Sequence, residues 1–170
     1  VRLAMLVFAA VALTQAAQGL PGSAANSSIV VDFSNPGLSP SHWTLTLHRD
    51  GSGHFLAERG DQPRGGLRQM EAPDVDRSIQ VSPEFAQQVF RIAQRHKWFN
   101  EKCESHLKVA FQGWKKLSYV GPEGQGTCTF NYSQDKDIEA LGDELVAVAE
   151  TVGEGARLEM LLQHDRLGLD

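Results

Sequence analysis

The densest group of reactive side chains in this 170-residue chain is the run Cys103-Glu104-Ser105-His106, with His96 upstream and Cys128 downstream. Thiolate and imidazole are the ligands that hold zinc, so His96, Cys103, His106 and Cys128 form a candidate soft-metal set. The Cys-x2-His spacing suits such a site, but no second close pair accompanies the first. Cys103 and Cys128 are also the only cysteines in the chain. In an oxidising compartment an isolated pair reads as one disulfide, closing a loop of moderate length and adding roughly 2–4 kcal/mol. A bridge would consume the thiol that a metal site or a Cys–His nucleophile needs. The disulfide is therefore the expectation, and the metal set is the alternative.

Other chemistry finds less support. His48 and His54 flank the turn Arg49-Asp50-Gly51-Ser52-Gly53 and, in the register argued below, lie diagonally on one polar face, within reach of a shared ligand. Gly51-Ser52-Gly53 lacks the spacing of a Gly-x-Ser-x-Gly elbow. Gly121-x-x-Gly-x-Gly falls between strands without a helix directly after it, which is the wrong context for a phosphate loop. There is no His-Glu-x-x-His and no calcium-binding loop. No catalytic residue and no cofactor is indicated. Trp98 and Trp114 lie off the apolar stripe and in a turn, and aromatics placed there concentrate at recognition surfaces. With His48 and His54 they make up the expected interaction surface.

The elements that must position these groups are legible from periodicity. Ser82–Phe99 is the clearest amphipathic helix, with Ser82 as cap, Pro83 in the first turn, and Phe85, Ala86, Val89, Phe90, Ile92 and Ala93 on one side. Ile29–Phe33 reads as an edge strand or ordered arm. Trp43, Leu45 and Leu47 alternate with polar residues, and His54–Glu58 returns across a turn. A three-residue connection with Gly51 at positive φ places Phe55 beside Leu45. Arg59–Asp76 reads as a long exposed loop and Arg77–Val81 as a short strand. Leu107, Val109 and Phe111 alternate as a strand, with Leu117–Tyr119 and Cys128–Tyr132 completing a three-stranded group. Ile138–Val152 and Ala156–His164 read as two helices interrupted by Gly153 and Gly155, and Leu167 and Leu169 as packing residues in the tail.

Composition sets outer bounds. A hydrophobic fraction of 41% suits one folded domain and not a disordered chain. Arg2 followed by LAMLVFAAVAL and then by small residues has the layout of a secretory signal peptide, with cleavage after Ala16, Ala17 or Ala25. The division expected is a signal segment over 1–25 and a single α+β domain over 26–170, with no stable membrane span once the signal is removed. The net charge of −5 falls further when Arg2 is lost, and it argues against nucleic-acid binding, which needs a basic face. Lys108, Lys115, Lys116, Arg91 and Arg95 could form a local basic patch, whose ordinary role is a solvated face.

The order of signal peptide, DGSG hairpin, SPEF helix ending in KWF, YVGPEGQGTCTFNYS hairpin and C-terminal helices resembles small exported bacterial proteins that carry a domain of unknown function. The resemblance covers roughly Trp43–Val152. It implies an α+β envelope domain and carries no catalytic residue. The expected fold is an antiparallel sheet of about six strands, with one central helix and two C-terminal helices on one face. The expected function is a secreted or periplasmic, non-enzymatic binding module whose partner is a protein or envelope component. A hydrolase with its site in the Arg59–Asp76 loop is a further reading, and it requires a pocket with convergent polar groups.

Overall fold

The computed structural model describes residues 27–58 and 73–164. The signal segment 1–25, loop residues 59–72 and the tail residues Leu167 and Leu169 lie outside them. Six strands run in the chain as β1 (Ser28–Ser34), β2 (His42–His48), β3 (Ser52–Ala57), β4 (Val75–Gln80), β5 (Trp114–Gly121) and β6 (Gly124–Phe130). They form one antiparallel sheet in the order β4-β3-β2-β1-β5-β6. Helix α1 (Pro83–Arg95) and helix α2 (Lys136–His164) supply the apolar residues that complete its core. The α+β architecture follows from the strand pattern. Ile29, Val31, Phe33, Leu45, Leu47, Leu117 and Tyr119 are buried while the residues next to them in their strands are partly or fully exposed, so one face is buried and the other stays open to solvent.

The first hairpin has the expected register. Leu45 stands opposite Phe55. Asp50 Oδ1 accepts the Ser52 N–H at 2.9 Å, and Gly51 takes φ 84°. A Cβ on Gly51 would also lie 2.5 Å from the Val81 carbonyl oxygen, so glycine answers both a conformational and a steric need.

Strand β1 is not an edge strand. It sits inside the sheet with β2 on one side and β5 on the other. Alternation shows which face a strand buries but carries no information about its neighbours. Residues Leu107–Phe111 form no strand: the chain from 100 to 113 is irregular, and the partner expected for β5 on that side is β1 instead. The short strand before α1 starts at Val75, earlier than the Arg77 expected, so Val75 and Asp76 belong to the sheet and not to a loop.

Helix α1 begins as expected, with the Ser82 hydroxyl accepting the Phe85 N–H at 3.2 Å. It stops at Arg95 instead of running to Phe99. A 3-10 turn follows at Lys97–Phe99, with φ of 51°, 58° and 66° at its three residues. Left-handed geometry costs roughly 1–2 kcal/mol per non-glycine residue. The cost is offset by what the turn buries: Phe99 is wholly inside the core, and Trp98 stacks on Tyr119 with ring centroids 4.2 Å apart.

The C-terminal region is one helix of 29 residues, not two. Gly153 and Gly155 each weaken a helix by about 1 kcal/mol relative to alanine, which a long helix with a buried stripe tolerates. Ile138, Leu141, Leu145 and Ala149 form that stripe. Lys115 anchors it from the sheet. Its buried Nζ lies 2.7 Å from Asp143 Oδ1 and 3.6 Å from Glu139 Oε1, close enough to pair charge though not aligned as a hydrogen bond. The expected basic patch therefore loses Lys115 to the interior, and Arg95 to an ion pair with Asp137 at 2.6 Å.

Candidate functional site

Cys103 and Cys128 are joined in a disulfide, with Cα atoms 5.7 Å apart. Both sulfurs are consumed, so the metal set of His96, Cys103, His106 and Cys128 is not assembled. His96 turns to a different group: its Nδ1 lies 2.7 Å from Glu101, and its Nε2 lies 3.7 Å from Asp135 and 3.8 Å from Asp137. There it ties the end of α1 to the following loop and to the start of α2. His106 is exposed. Among the described residues no group of three or more His, Cys, Asp or Glu side chains is arranged to hold a metal ion.

The other expected contact residues separate into two kinds. His48 and His54 do lie diagonally on the open face of the sheet, but each has its own partner. His48 Nδ1 is 3.3 Å from the Ser27 carbonyl oxygen and His54 Nε2 is 2.7 Å from Asp76. Trp98 is partly buried, packed against the edge of the core. It stacks on Tyr119, while the Arg49 guanidinium covers Phe90 at 4.6 Å and Trp98 at 5.6 Å. Arg49 also holds Glu123 at 2.7 Å, and Tyr119 donates its hydroxyl to the same carboxylate. This cluster joins the two hairpin turns. The Tyr119 hydroxyl is the main reason the Glu123 carboxyl sits below the usual carboxylate range; burial opposes it, and Arg49 adds a smaller pull in the same direction.

Trp114 is the expected residue that remains exposed, and it is not alone. Of the eight large apolar side chains exposed among the described residues, four lie within residues 107–114: Leu107, Val109, Phe111 and Trp114. Phe111 packs edge-on against Trp114 at 5.9 Å. Contiguous apolar patches on a surface mark interaction sites. The backbone here is tied down. The Cys103–Cys128 bridge fixes one end, and beside it the Ser105 N–H donates to the Tyr132 carbonyl at 3.0 Å. Glu104 accepts the Asn131 N–H at 2.6 Å. From behind, the buried Asn131 side chain holds two further points. Its Oδ1 accepts the Gln112 N–H at 2.7 Å and its Nδ2 donates to the Ala110 carbonyl at 3.2 Å. Asn35 then donates to the Gln112 carbonyl at 3.1 Å.

The chain matches no family model and no curated protein. Its function must therefore be argued from this geometry.

A cavity of about 730 Å³ opens between the β1–β2 loop, the ends of β3 and β4, and the second half of α2. Trp43, Phe55, Ala57 and Val75 form its floor, with Glu150, Glu154 and Arg157 on the helix wall. The size suits a small-molecule site. On its helix wall Arg157 pairs with Glu154 at 3.6 Å, and most of the Arg59–Asp76 loop on which the hydrolase reading rests lies outside the described residues. Among the described residues no helix is long and apolar enough to cross a membrane.

Sequence reasoning placed Trp114 on the recognition surface but missed Leu107, Val109 and Phe111, which it assigned to a strand. It also missed Asn131, whose bracing role depends on contacts far along the chain. A local signal did exist for Lys115. Counting back by two from Leu117 and Tyr119 places it on the buried face of β5.

Proposed function

We propose that the protein is an exported, non-enzymatic binding module of the bacterial cell envelope, and that it docks on a protein partner through residues 104–114. One observation carries this reading: apolar side chains are held outward on a backbone that is braced from behind. Preordering of that kind lowers the entropy lost on binding. Phe111 and Trp114 are the residue types that anchor interfaces. Export is supported by the apolar leader pattern at the N-terminus and by the disulfide, which persists in oxidising compartments.

A photo-crosslinker placed at Phe111 tests the reading, with the same group at Val120, exposed at the other end of β5, as the control. In envelope extracts the Phe111 probe is expected to form a discrete adduct that the double variant Leu107→Asp/Trp114→Asp abolishes. Equal labelling from Val120, or an adduct indifferent to the double variant, would remove the reading.

A further inference from the structure

Strand β4 ends the sheet order on one side, and its pairing with β3 fixes which of its peptide groups stay free. The Val81 N–H, one residue beyond the strand, donates to the Gly51 carbonyl at 2.9 Å. By alternation Val75, Arg77 and Ile79 turn their peptide groups toward β3. The N–H and C=O groups of Asp76, Ser78 and Gln80 therefore point outward, and among the described residues no partner meets them. The side chains of all three are exposed. The usual protections of an edge are missing: the strand pairs with β3 without a bulge and contains no proline. Its two charged side chains are already partnered. Asp76 holds His54 at 2.7 Å, and Arg77 reaches Glu159 of α2 at 3.0 Å. Beside Glu159, Leu158 and Leu162 lie one helical turn apart, both more than half exposed.

We infer that β4 pairs with the β4 of a second copy of this chain, antiparallel across a two-fold axis, joining two sheets into one. The register follows from the chemistry. With Ser78 facing its own copy, Asp76 faces Gln80. Each of these residues then exchanges its outward N–H and C=O with the residue opposite, as the hydrogen-bonded pairs of an antiparallel ladder do. No like charges stand opposite each other. An axis centred on Arg77 or Asp76 would set identical charges face to face, which destabilises a pair. The two-fold axis keeps both α2 helices on the same side of the joined sheet. Leu158 and Leu162 of each copy stand above the join, where they cover apolar surface that a single chain leaves in water. Residues 104–114 are fastened beside β5 and β6, at the other end of the strand order. The contact leaves them free, so a dimer presents two docking segments.

Sedimentation of the full, disulfide-bonded chain over a concentration series tests the inference. The expected dimer has a dissociation constant below about 10 μM. Ser78→Lys sets two cations opposite each other at the axis and is expected to weaken the dimer at least about tenfold. Register is read with a short bismaleimide. Ser78→Cys is expected to be joined to its copy, and Thr129→Cys, exposed on β6 at the far edge, is not. A single-chain mass at about 100 μM overturns the inference and leaves the edge to an extended peptide of another protein. A dimer indifferent to Ser78→Lys, or one that the reagent joins through Thr129→Cys, overturns it as well. Should Ser78→Lys lower the urea midpoint of the fold, the Ser78→Cys crosslink decides alone.

Discussion

At Gly126 a single methyl group would meet the Trp98 carbonyl oxygen at 2.3 Å and the Asn100 nitrogen at 2.8 Å. Both atoms are backbone, in or just after the left-handed turn that follows α1, and neither can move without disturbing Phe99. Gly126→Ala is therefore expected to destabilise the fold by about 1–3 kcal/mol, seen as a lower urea midpoint with an unchanged slope. Glu123 makes a different kind of demand. Its carboxyl is held below its ordinary range, mainly by the Tyr119 hydroxyl. A carboxylate whose folded-state pKa is depressed contributes stability that is complete above the unfolded-state value. That contribution is lost as pH falls through the folded-state value. Glu123→Gln should lower stability at neutral pH and flatten its decline through the acid range, measured as urea midpoints along a pH series. An unchanged acid profile would detach Glu123 from the Arg49–Tyr119 cluster.

The disulfide acts on an element that has no regular structure of its own. A bridge spanning a sequence separation of 25 contributes about 3.5 kcal/mol by the chain-entropy argument. The paired variant Cys103→Ala/Cys128→Ala is expected to lose about that much, and the wild type in reductant should match it. Which elements were legible in the sequence follows from the range of the forces that form them. The β2–β3 hairpin was legible down to the φ of Gly51, since its turn chemistry is local. The start of α1 was equally plain from Ser82 and Pro83. Its end was not, because the left-handed turn at Lys97–Phe99 exists only to seat Phe99 and Trp98 against β5 and β6. Gly153 and Gly155 looked like a break, but local propensity lost to the stripe that α2 packs into the core. Leu107, Val109 and Phe111 carry the period of a strand, yet period two describes any extended peptide, including one whose apolar side chains face outward.

For the whole molecule, the division of labour is between a sheet with one covered face and an irregular segment fastened across its end. The buried core shared by the sheet and the two helices accounts for the fold and explains why the chain tolerates an exposed apolar tip. The candidate site was half legible: Trp114 and the cysteine pair could be read directly, whereas Asn131 and the outward-facing loop emerge only when β6 and residues 104–113 meet in space. The central claim is that this segment is rigid while its side chains remain free. Amide hydrogen exchange on the intact protein tests it most directly. The account predicts that the Ser105, Gln112 and Asn131 amides are strongly protected, and that Asn131→Ala releases Gln112. Exchange of Ser105 and Gln112 in the wild type at the rate of an unstructured peptide would contradict it.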